Sequence, residues 1–419
     1  MPLDYNDCII KKNGVPERLN VAKTVSWIKQ STPIATVMKT KEILHYSKGI
    51  YISEGEQYVS RILAEAFGSI NKYSDAPIYN KSVKSEILTM LRDTTYTGME
   101  EFDKDLNIIN MTNGLYDISS GEFRFHDPAY LSRLQIPVVF DVDARCPVIE
   151  EVFKVLVKPE DLDKIYEFIG YTLWRTYEIQ KSFFLLGPGG TGKSYFLDVV
   201  NGLVGHNNAA SVSLHDLQTD KFASSDLYGK LVNTCGDLAA TTLKDTDVFK
   251  KLTSNVDWIR AQKKNVAAFD FINHAKLIFL MNTLPVSLDK TDGWFRRVEI
   301  IPFEHKFTTE EYNKDKLDKL ISPEELSGLF NKVVLMLPGL IARHKFTNET
   351  DLDTLAEKYE AASMPEQTFC DTYMCNVVGG HIAKDSLYEY YKIFCKESNA
   401  VALSPNKFSR FIHGYVEWC

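Results

Sequence analysis

Apolar positions recur every three or four residues in some stretches of this chain and run unbroken in others, and the alternation of the two patterns organises it. Between Tyr58 and Phe67 the residues Val59, Ile62, Leu63, Ala66 and Phe67 fall on one helical face. Residues 107–126 instead alternate short β-prone runs with Asn-Gly and Ser-Gly turns, as a hairpin does. Residues 1–130 as a whole mix helical and extended patterns. Residues 136–147 contain two prolines and an Asp-Val-Asp and read as an extended connector. Leu162, Ile165, Phe168, Ile169 and Leu173 then restore a helical period.

From Ser182 the pattern changes again. Phe183–Leu186 is an unbroken apolar run of strand length, followed at once by a glycine-rich turn and a helix carrying Tyr195, Phe196, Val199, Val200 and Leu203 on one face. Further strands are predicted at Lys230–Thr234, Lys276–Met281 and Val298–Pro302. Short buried strands interleaved with helices predict a three-layer α/β core with a largely parallel sheet. Beyond residue 310 the pattern is helical to about 360. A small aromatic-rich helical unit follows, with Leu387, Tyr388, Tyr391, Phe394, Phe408 and Phe411 as its apolar positions.

Composition removes several classes. With 44% apolar and 25% charged residues, the chain sits on the globular average, which excludes disordered, collagen-like and coiled-coil readings. No run of 18 or more apolar residues occurs, and MPLDYNDCII has no basic segment leading into an apolar one, so neither a membrane span nor a secretory signal is expected. The seven cysteines form no CxxC pair and no zinc-type cluster, and read as the free thiols of an intracellular protein. A net charge of −8 excludes a histone-like basic coat but leaves room for a local basic channel.

The sharpest chemical signal is Gly187-Pro188-Gly189-Gly190-Thr191-Gly192-Lys193-Ser194, which satisfies GxxxxGK[ST] after a predicted strand and at the start of a helix. Glycines allow backbone N–H groups to converge on phosphate oxygens, and the helix terminus adds partial positive charge. This predicts a nucleotide site in which Lys193 reaches the β- and γ-phosphates and Ser194 offers its hydroxyl to Mg²⁺. Asp237, after Lys230-Leu-Val-Asn-Thr-Cys-Gly, is either the metal-organising acid or an ordinary turn residue. Asn282, at the end of the strand Lys276–Met281, is placed to hold an attacking water or the γ-phosphate. Lys263 and Lys264 read alone as a solvated turn. The pair Arg296-Arg297 is either structural or a source of charge for the γ-phosphate of a neighbouring subunit.

The order and spacing of these pieces between Gly187 and Arg297 resemble the superfamily 3 helicases of DNA viruses, phages and plasmids, and above all the helicase portion of primase–helicases. Tyr46-Ser-Lys-Gly-Ile-Tyr51, Asn110-Met-Thr-Asn-Gly-Leu-Tyr-Asp117 and Gly170-Tyr look like the N-terminal domain of such proteins, and Leu387-Tyr-Glu-Tyr-Tyr391 with Lys407-Phe408 resembles their C-terminal winged-helix-like unit. The resemblance implies an AAA+-like P-loop core (148–308) with a central parallel sheet, an N-terminal mixed α+β domain (1–147) and a C-terminal helical, winged-helix-like region (309–419). It also implies ATP and Mg²⁺ as cofactors, Lys193, Asp237, Asn282 and Arg297 as catalytic residues, and Ser194 with Asp237 on the metal. Arg297 then matches the trans-acting arginine, with Arg296 as second choice, and Lys263 and Lys264 lie near a hairpin tip that tracks single-stranded DNA. One departure is that Asn233, Thr234 and Gly236 precede a lone acid, so no water-activating base is assigned.

The expected assembly is a homo-oligomeric ring, a hexamer by family, acting on single-stranded and fork DNA in the cytoplasm or at a host replication site, with a primase or polymerase as partner and no membrane. The rival readings are a nucleotide-assembled origin-binding adaptor that does not unwind, and a P-loop phosphotransferase, for which no lid arginine cluster is present. Asp141-Val-Asp143 has the spacing of metal-binding primase acids, but its place in the connector makes it structural. The chain reads either as complete or as a fragment of a longer primase–helicase.

Overall fold

The structure is a computed structural model that describes residues 3–69, 77–236, 243, 246–264, 267–308, 318–375, 381–398 and 400–416. The chain divides into two compact units, Met1–Ile136 and Pro137–Cys419. In the first, the helices Val21–Ser31, Gly55–Phe67 and Lys81–Asp93 enclose a core of Val25, Ile28, Val59, Leu63, Phe67 and Ile87. The helical period over Tyr58–Phe67 is thus a buried face. A four-stranded mixed sheet pairs Ile50–Ile52, Ile43–Ser47, Ile34–Val37 and Tyr96–Thr97 in that order. The hairpin expected over 107–126 is a three-stranded antiparallel sheet of Ile108–Met111, Gly114–Asp117 and Phe123–Arg124.

The two family-like stretches of this unit are stitched to each other. Asn110 Nδ2 donates to Gly49 O at 2.9 Å, and its Oδ1 lies 3.0 Å from His126 Nε2 and accepts from Gln135 Nε2 at 3.2 Å. Gly49 has φ +92°, and a Cβ there would lie 2.4 Å from the His126 ring, so only glycine fits. A buried amide satisfied on both ends fixes these loops against each other. These contacts give both stretches a structural role.

The second unit is built on five strands: β1 (Ser182–Leu186), β2 (Ala209–Ala210), β3 (Val232–Cys235), β4 (Lys276–Met281) and β5 (Val298–Pro302). All pairings are parallel and the spatial order is β2-β3-β4-β1-β5. Successive side chains of β1 point to opposite faces. Phe183 stacks on Phe168 of the helix Leu162–Leu173 with ring centroids 3.5 Å apart, whereas Phe184 meets Phe249 and Trp294 on the other side. The predicted three layers follow from that alternation, and the protein is a mixed α/β molecule with a parallel core sheet.

Close helix approach accounts for another singled-out residue. The helix Pro323–Arg343 crosses Leu162–Leu173 at Gly170, where a Cβ would come within 3.0 Å of Val333 O. By length and composition Pro323–Arg343 could cross a membrane; here it buries Leu329, Phe330, Val333 and Leu337 within its own unit. Its Glu325 accepts hydrogen bonds from Val148 N (3.1 Å) and Ile149 N (3.0 Å), capping the helix Pro147–Leu156, to which Cys146 gives no side-chain cap. In the connector Asp141 Oδ1 accepts from Asp143 N at 3.0 Å, closing a turn as expected of a structural Asp-Val-Asp. The C-terminal helices Pro365–Tyr373, Lys384–Glu397 and Pro405–Val416 pack around Phe369, Tyr391 and Phe408. The described residues of this region form helices joined by loops and include no strand.

Candidate functional site

The carboxyl ends of β1, β4 and β5 meet at one edge of the sheet, where Gly187 N donates to Met281 O at 3.1 Å and Phe303 N to Leu186 O at 2.7 Å. The loop Gly187–Gly192 leaves β1 there and enters the helix Lys193–Val204. Gly190 and Gly192 have φ of +83° and +79°, conformations that side chains disfavour. A Cβ added at Gly189 or Gly190 would meet no atom within 4 Å, so the backbone there borders open space. At Gly187 a Cβ would strike Phe303 O at 2.2 Å, and at Gly192 it would strike Leu156 and Phe307. The loop is therefore pressed against the protein at its two ends and open in the middle. Phe307 N braces it from behind by donating to Gly190 O at 2.9 Å.

Lys193 is 8% exposed and lies along the inside of the loop. Its Nζ donates to the carbonyl oxygens of Gly187 and Pro188, the latter at 2.9 Å, and to Asn282 Oδ1 at 3.3 Å. The Ser194 side chain is exposed beside it. No side chain caps the amino end of this helix. An ammonium, an uncapped helix terminus and an open glycine backbone together suit a phosphate group. Of the sequence-predicted residues, the fold thus brings Lys193, Ser194 and Asn282 to one place, because β4 is the direct neighbour of β1.

Asp237 lies outside the described residues. The strand leading to it is polar for a structural reason: buried Asn233 accepts from Val212 N at 2.8 Å through Oδ1 and donates to Val212 O at 2.9 Å through Nδ2, while Thr234 donates to Asn201 Oδ1 at 3.1 Å. Asn233 imitates a strand partner for a chain segment that is not a strand. Among the described residues no His/Cys/Asp/Glu group is arranged to hold a metal ion.

Lys263 and Lys264 are exposed in the loop joining two antiparallel strands, Ile259–Ala261 and Phe269–Phe271, whose register pairs Arg260 with Asp270. At the base of this hairpin stand Trp258 and Val256, 66% and 68% exposed. Neither stands out in the periodicity of the chain, although a tryptophan between polar neighbours such as Asp257 and Arg260 is a signal for an exposed ring.

The arginine pair divides. Arg296 is exposed, whereas Arg297 is 5% exposed and donates through Nη1 to Gly293 O at 2.7 Å. Burial, then the charge of Arg296, lowers the pKa of Arg297. The approach to the pair is anchored by Asp289, which accepts from Lys250 Nζ (2.5 Å), Thr291 Oγ1 (2.7 Å) and Thr246 Oγ1. Burial would raise the Asp289 pKa, but these hydrogen bonds outweigh it and hold the carboxyl well below its usual range.

Two family matches cover parts of the chain. Residues 27–156 match the family described as D5 N terminal like, and residues 185–297 match a family of unknown function, DUF5906. The first spans both stitched loops of the N-terminal unit; the second runs from β1 to the arginine pair. Among solved structures the chain is similar to the apo C-terminal region of NrS-1, residues 305–718, at 13% identity and a TM-score of 0.48, covering 89% of this chain and 85% of that one. An A-form structure of the same region gives 12%, 0.49 and 90% of each chain. Another A-form structure gives 12% and 0.47, covering 78% of this chain and 74% of that one.

Proposed function

We propose that this chain is an ATP-driven DNA helicase of the superfamily 3, AAA+ type, the helicase part of a primase–helicase. The observation that carries the proposal is the convergence of Lys193 and Asn282 on one open glycine loop. Such a pair binds a terminal phosphate and senses its loss. Mg²⁺ would be held by Ser194 together with phosphate oxygens and water, and would neutralise charge on the phosphates. The match of residues 27–156 to a D5 N terminal like family supports the link to primase–helicases, because it covers Tyr46–Tyr51 and Asn110–Asp117, two of the stretches that resemble their N-terminal domain.

The sheet also supports action between subunits. Arg296 and Arg297 precede the amino end of β5, whereas the glycine loop follows the carboxyl end of β1, and the two strands run parallel in register from Ser182↔Val298 to Leu186↔Pro302. Five residues of strand separate the two ends by about 17 Å. An arginine of this pair therefore cannot reach the phosphates of its own chain, and its natural target is the site of a neighbour in a ring. Arg296 is the better placed of the two, since it faces outward. The hairpin lysines Lys263 and Lys264 supply sequence-independent phosphate contacts for a single strand.

The test is ATP hydrolysis with and without single-stranded DNA, alongside displacement of a labelled strand. The proposal requires stimulation and displacement. Hydrolysis without displacement would leave the origin-binding adaptor, and absence of both hydrolysis and nucleotide binding would end both.

A further inference from the structure

The helix Lys384–Glu397 carries more apolar surface than its own core uses. Tyr391 and Phe394 pack into the aromatic core of the bundle, where Tyr391 stacks on Phe408 with centroids 4.0 Å apart. Tyr390 and Ile393, one position before each of them, form a second stripe at helical spacing. Together with Tyr373 of the helix Pro365–Tyr373 and with Ile382, they each leave more than half of their surface exposed. These four side chains line one cavity of about 380 Å³ between the two helices, and buried Phe369 belongs to its wall. Apolar residues scattered singly over a surface need no explanation, but four gathered in one concavity mark a binding face.

Charge selects the occupant. Among the described residues that line the cavity, Glu397 alone is charged, and it makes no ion pair or hydrogen bond. It is the last residue of its helix, where the partial negative charge of the helix end disfavours a carboxylate. An incoming cation would relieve that conflict. Lys392 of the same helix is paired instead with Glu389 at 2.7 Å, and Lys396 lines a different cavity. A nucleic acid strand would find exposed rings here but no cation for its phosphates, which removes the largest part of its affinity. From Leu387 to Glu397 the cavity follows about 15 Å, or about three turns, of helix. We infer that it docks an amphipathic helix of another protein, which inserts apolar side chains between Tyr373, Tyr390 and Ile393 and sets a lysine or arginine against Glu397. This docking is independent of nucleotide hydrolysis and of unwinding.

The probe is a phage-displayed library of random peptides about 14 residues long, about four helical turns, selected against the full chain. The expected outcome is enrichment of sequences with apolar residues three and four apart and a lysine or arginine at one end. In fluorescence anisotropy a selected peptide should bind Ile393→Asp and Tyr390→Ser at least about 10-fold more weakly than the parent, because each variant loses buried apolar contact. Glu397→Gln should weaken binding about 2–5-fold, and high salt should erase that difference. All three positions are exposed, so the variants should melt with the parent; if Ile393→Asp melts early, Tyr390→Ser and Glu397→Gln still decide the matter. Peptides that bind Ile393→Asp as they bind the parent, or that carry acidic residues in place of basic ones, overturn the inference, as does a selection that enriches nothing. Oligothymidylate that binds the parent and is lost in Ile393→Asp would make the cavity a nucleic-acid surface. A parent oligomer that falls apart in Ile393→Asp would make it a contact between copies. Either result overturns the inference as well.

Discussion

Replacing each arginine of the pair separately tests both the fold and the ring. Arg297 sits inside its own chain with Nη1 on Gly293 O. Truncation to alanine removes a buried side chain, at about 2–4 kcal/mol, and leaves a buried carbonyl short of one hydrogen bond, at about 1 kcal/mol. Against this stands relief of a cation that burial already disfavours, so the net cost is about 2–3 kcal/mol. For a unit of this size the melting temperature should fall by about 4–12 °C. Arg297→Met keeps the volume and should cost only about 1 kcal/mol. Arg296 is exposed, and Arg296→Ala should change stability by under about 0.5 kcal/mol.

Activity should run the other way. A trans-acting arginine contributes about 10³–10⁵ in turnover. Arg296→Ala should therefore abolish ATP hydrolysis while leaving the melting curve in place, and mixing it with Lys193→Ala should restore part of the rate, because one intact site then forms between the two variants. Arg297→Met should keep most of its turnover. The assays are differential scanning fluorimetry and steady-state ATPase on single and mixed variants. A folded but inactive Arg297→Met that is rescued by mixing, beside a fully active Arg296→Ala, would refute the reasoning. It would mean that Arg297 turns outward in the assembled ring.

Three further outcomes are expected. Asn282→Ala should keep nucleotide binding and lose turnover, whereas Lys193→Ala should lose both; equal binding losses in a nucleotide titration would mean that Asn282 only braces the lysine. Lys263→Ala and Lys264→Ala should each lower the salt slope of single-strand binding by about 0.7, and Trp258→Ala should weaken binding by about 1–3 kcal/mol with the slope unchanged, as base stacking would require; a flat response in fluorescence titrations across salt would remove the hairpin from the DNA path. The Asp289 pKa is lower folded than unfolded, so its contribution to stability is complete above about pH 4 and is lost as the pH falls toward the folded value. Urea unfolding should therefore show the cost of Asp289→Asn shrinking by about 1.4 kcal/mol per pH unit below about pH 4, and a pH-independent difference would contradict the partly buried Lys250–Asp289 pair.

Much of the core was legible because its strands are short, mostly apolar runs set between helical periods. Lys276–Met281 and Val298–Pro302 appear at their expected bounds. The helix over 162–173 was also legible, but its period understated its burial: every residue from Lys164 to Leu173 is enclosed, including Glu167 and Thr172. Glu167 is tolerated there because it accepts from Arg343 Nη2, Thr347 N and Thr347 Oγ1, partners that no local pattern announces. The N-terminal sheet stayed hidden because Ile34–Val37, Ile43–Ser47 and Ile50–Ile52 are short and carry Thr, His and Ser among their apolar residues. At the site, the spacing from Gly187 to Ser194 disclosed the loop. The contact between Lys193 and Asn282 and the inward turn of Arg297 depend on strand order and helix packing, which sequence spacing does not encode.

The strand that follows the arginines is also the one that leads into the brace of the glycine loop, and its register is set by charge. Glu299 is 0% exposed, a position on β5 that would ordinarily be apolar. It accepts from Lys164 at 2.8 Å and Lys181 at 3.4 Å, and these lysines are held in turn by Asp161 at 3.2 Å and Glu349 at 3.2 Å. A slip of β5 by two residues along β1 would keep every side chain on its face, so hydrophobic burial alone does not forbid it. It would, however, pull Glu299 away from both lysines and leave charges buried without partners, which costs several kcal/mol. The network therefore ties Arg296 at one end of β5 to Phe303 and Phe307 at the other, where they brace Gly187 and Gly190. Under the proposed function, a movement of the glycine loop along this strand would be carried about 17 Å to Arg296, the arginine proposed to face a neighbour. That mechanical link is what a site shared between subunits needs if occupancy in one is to be felt in the next.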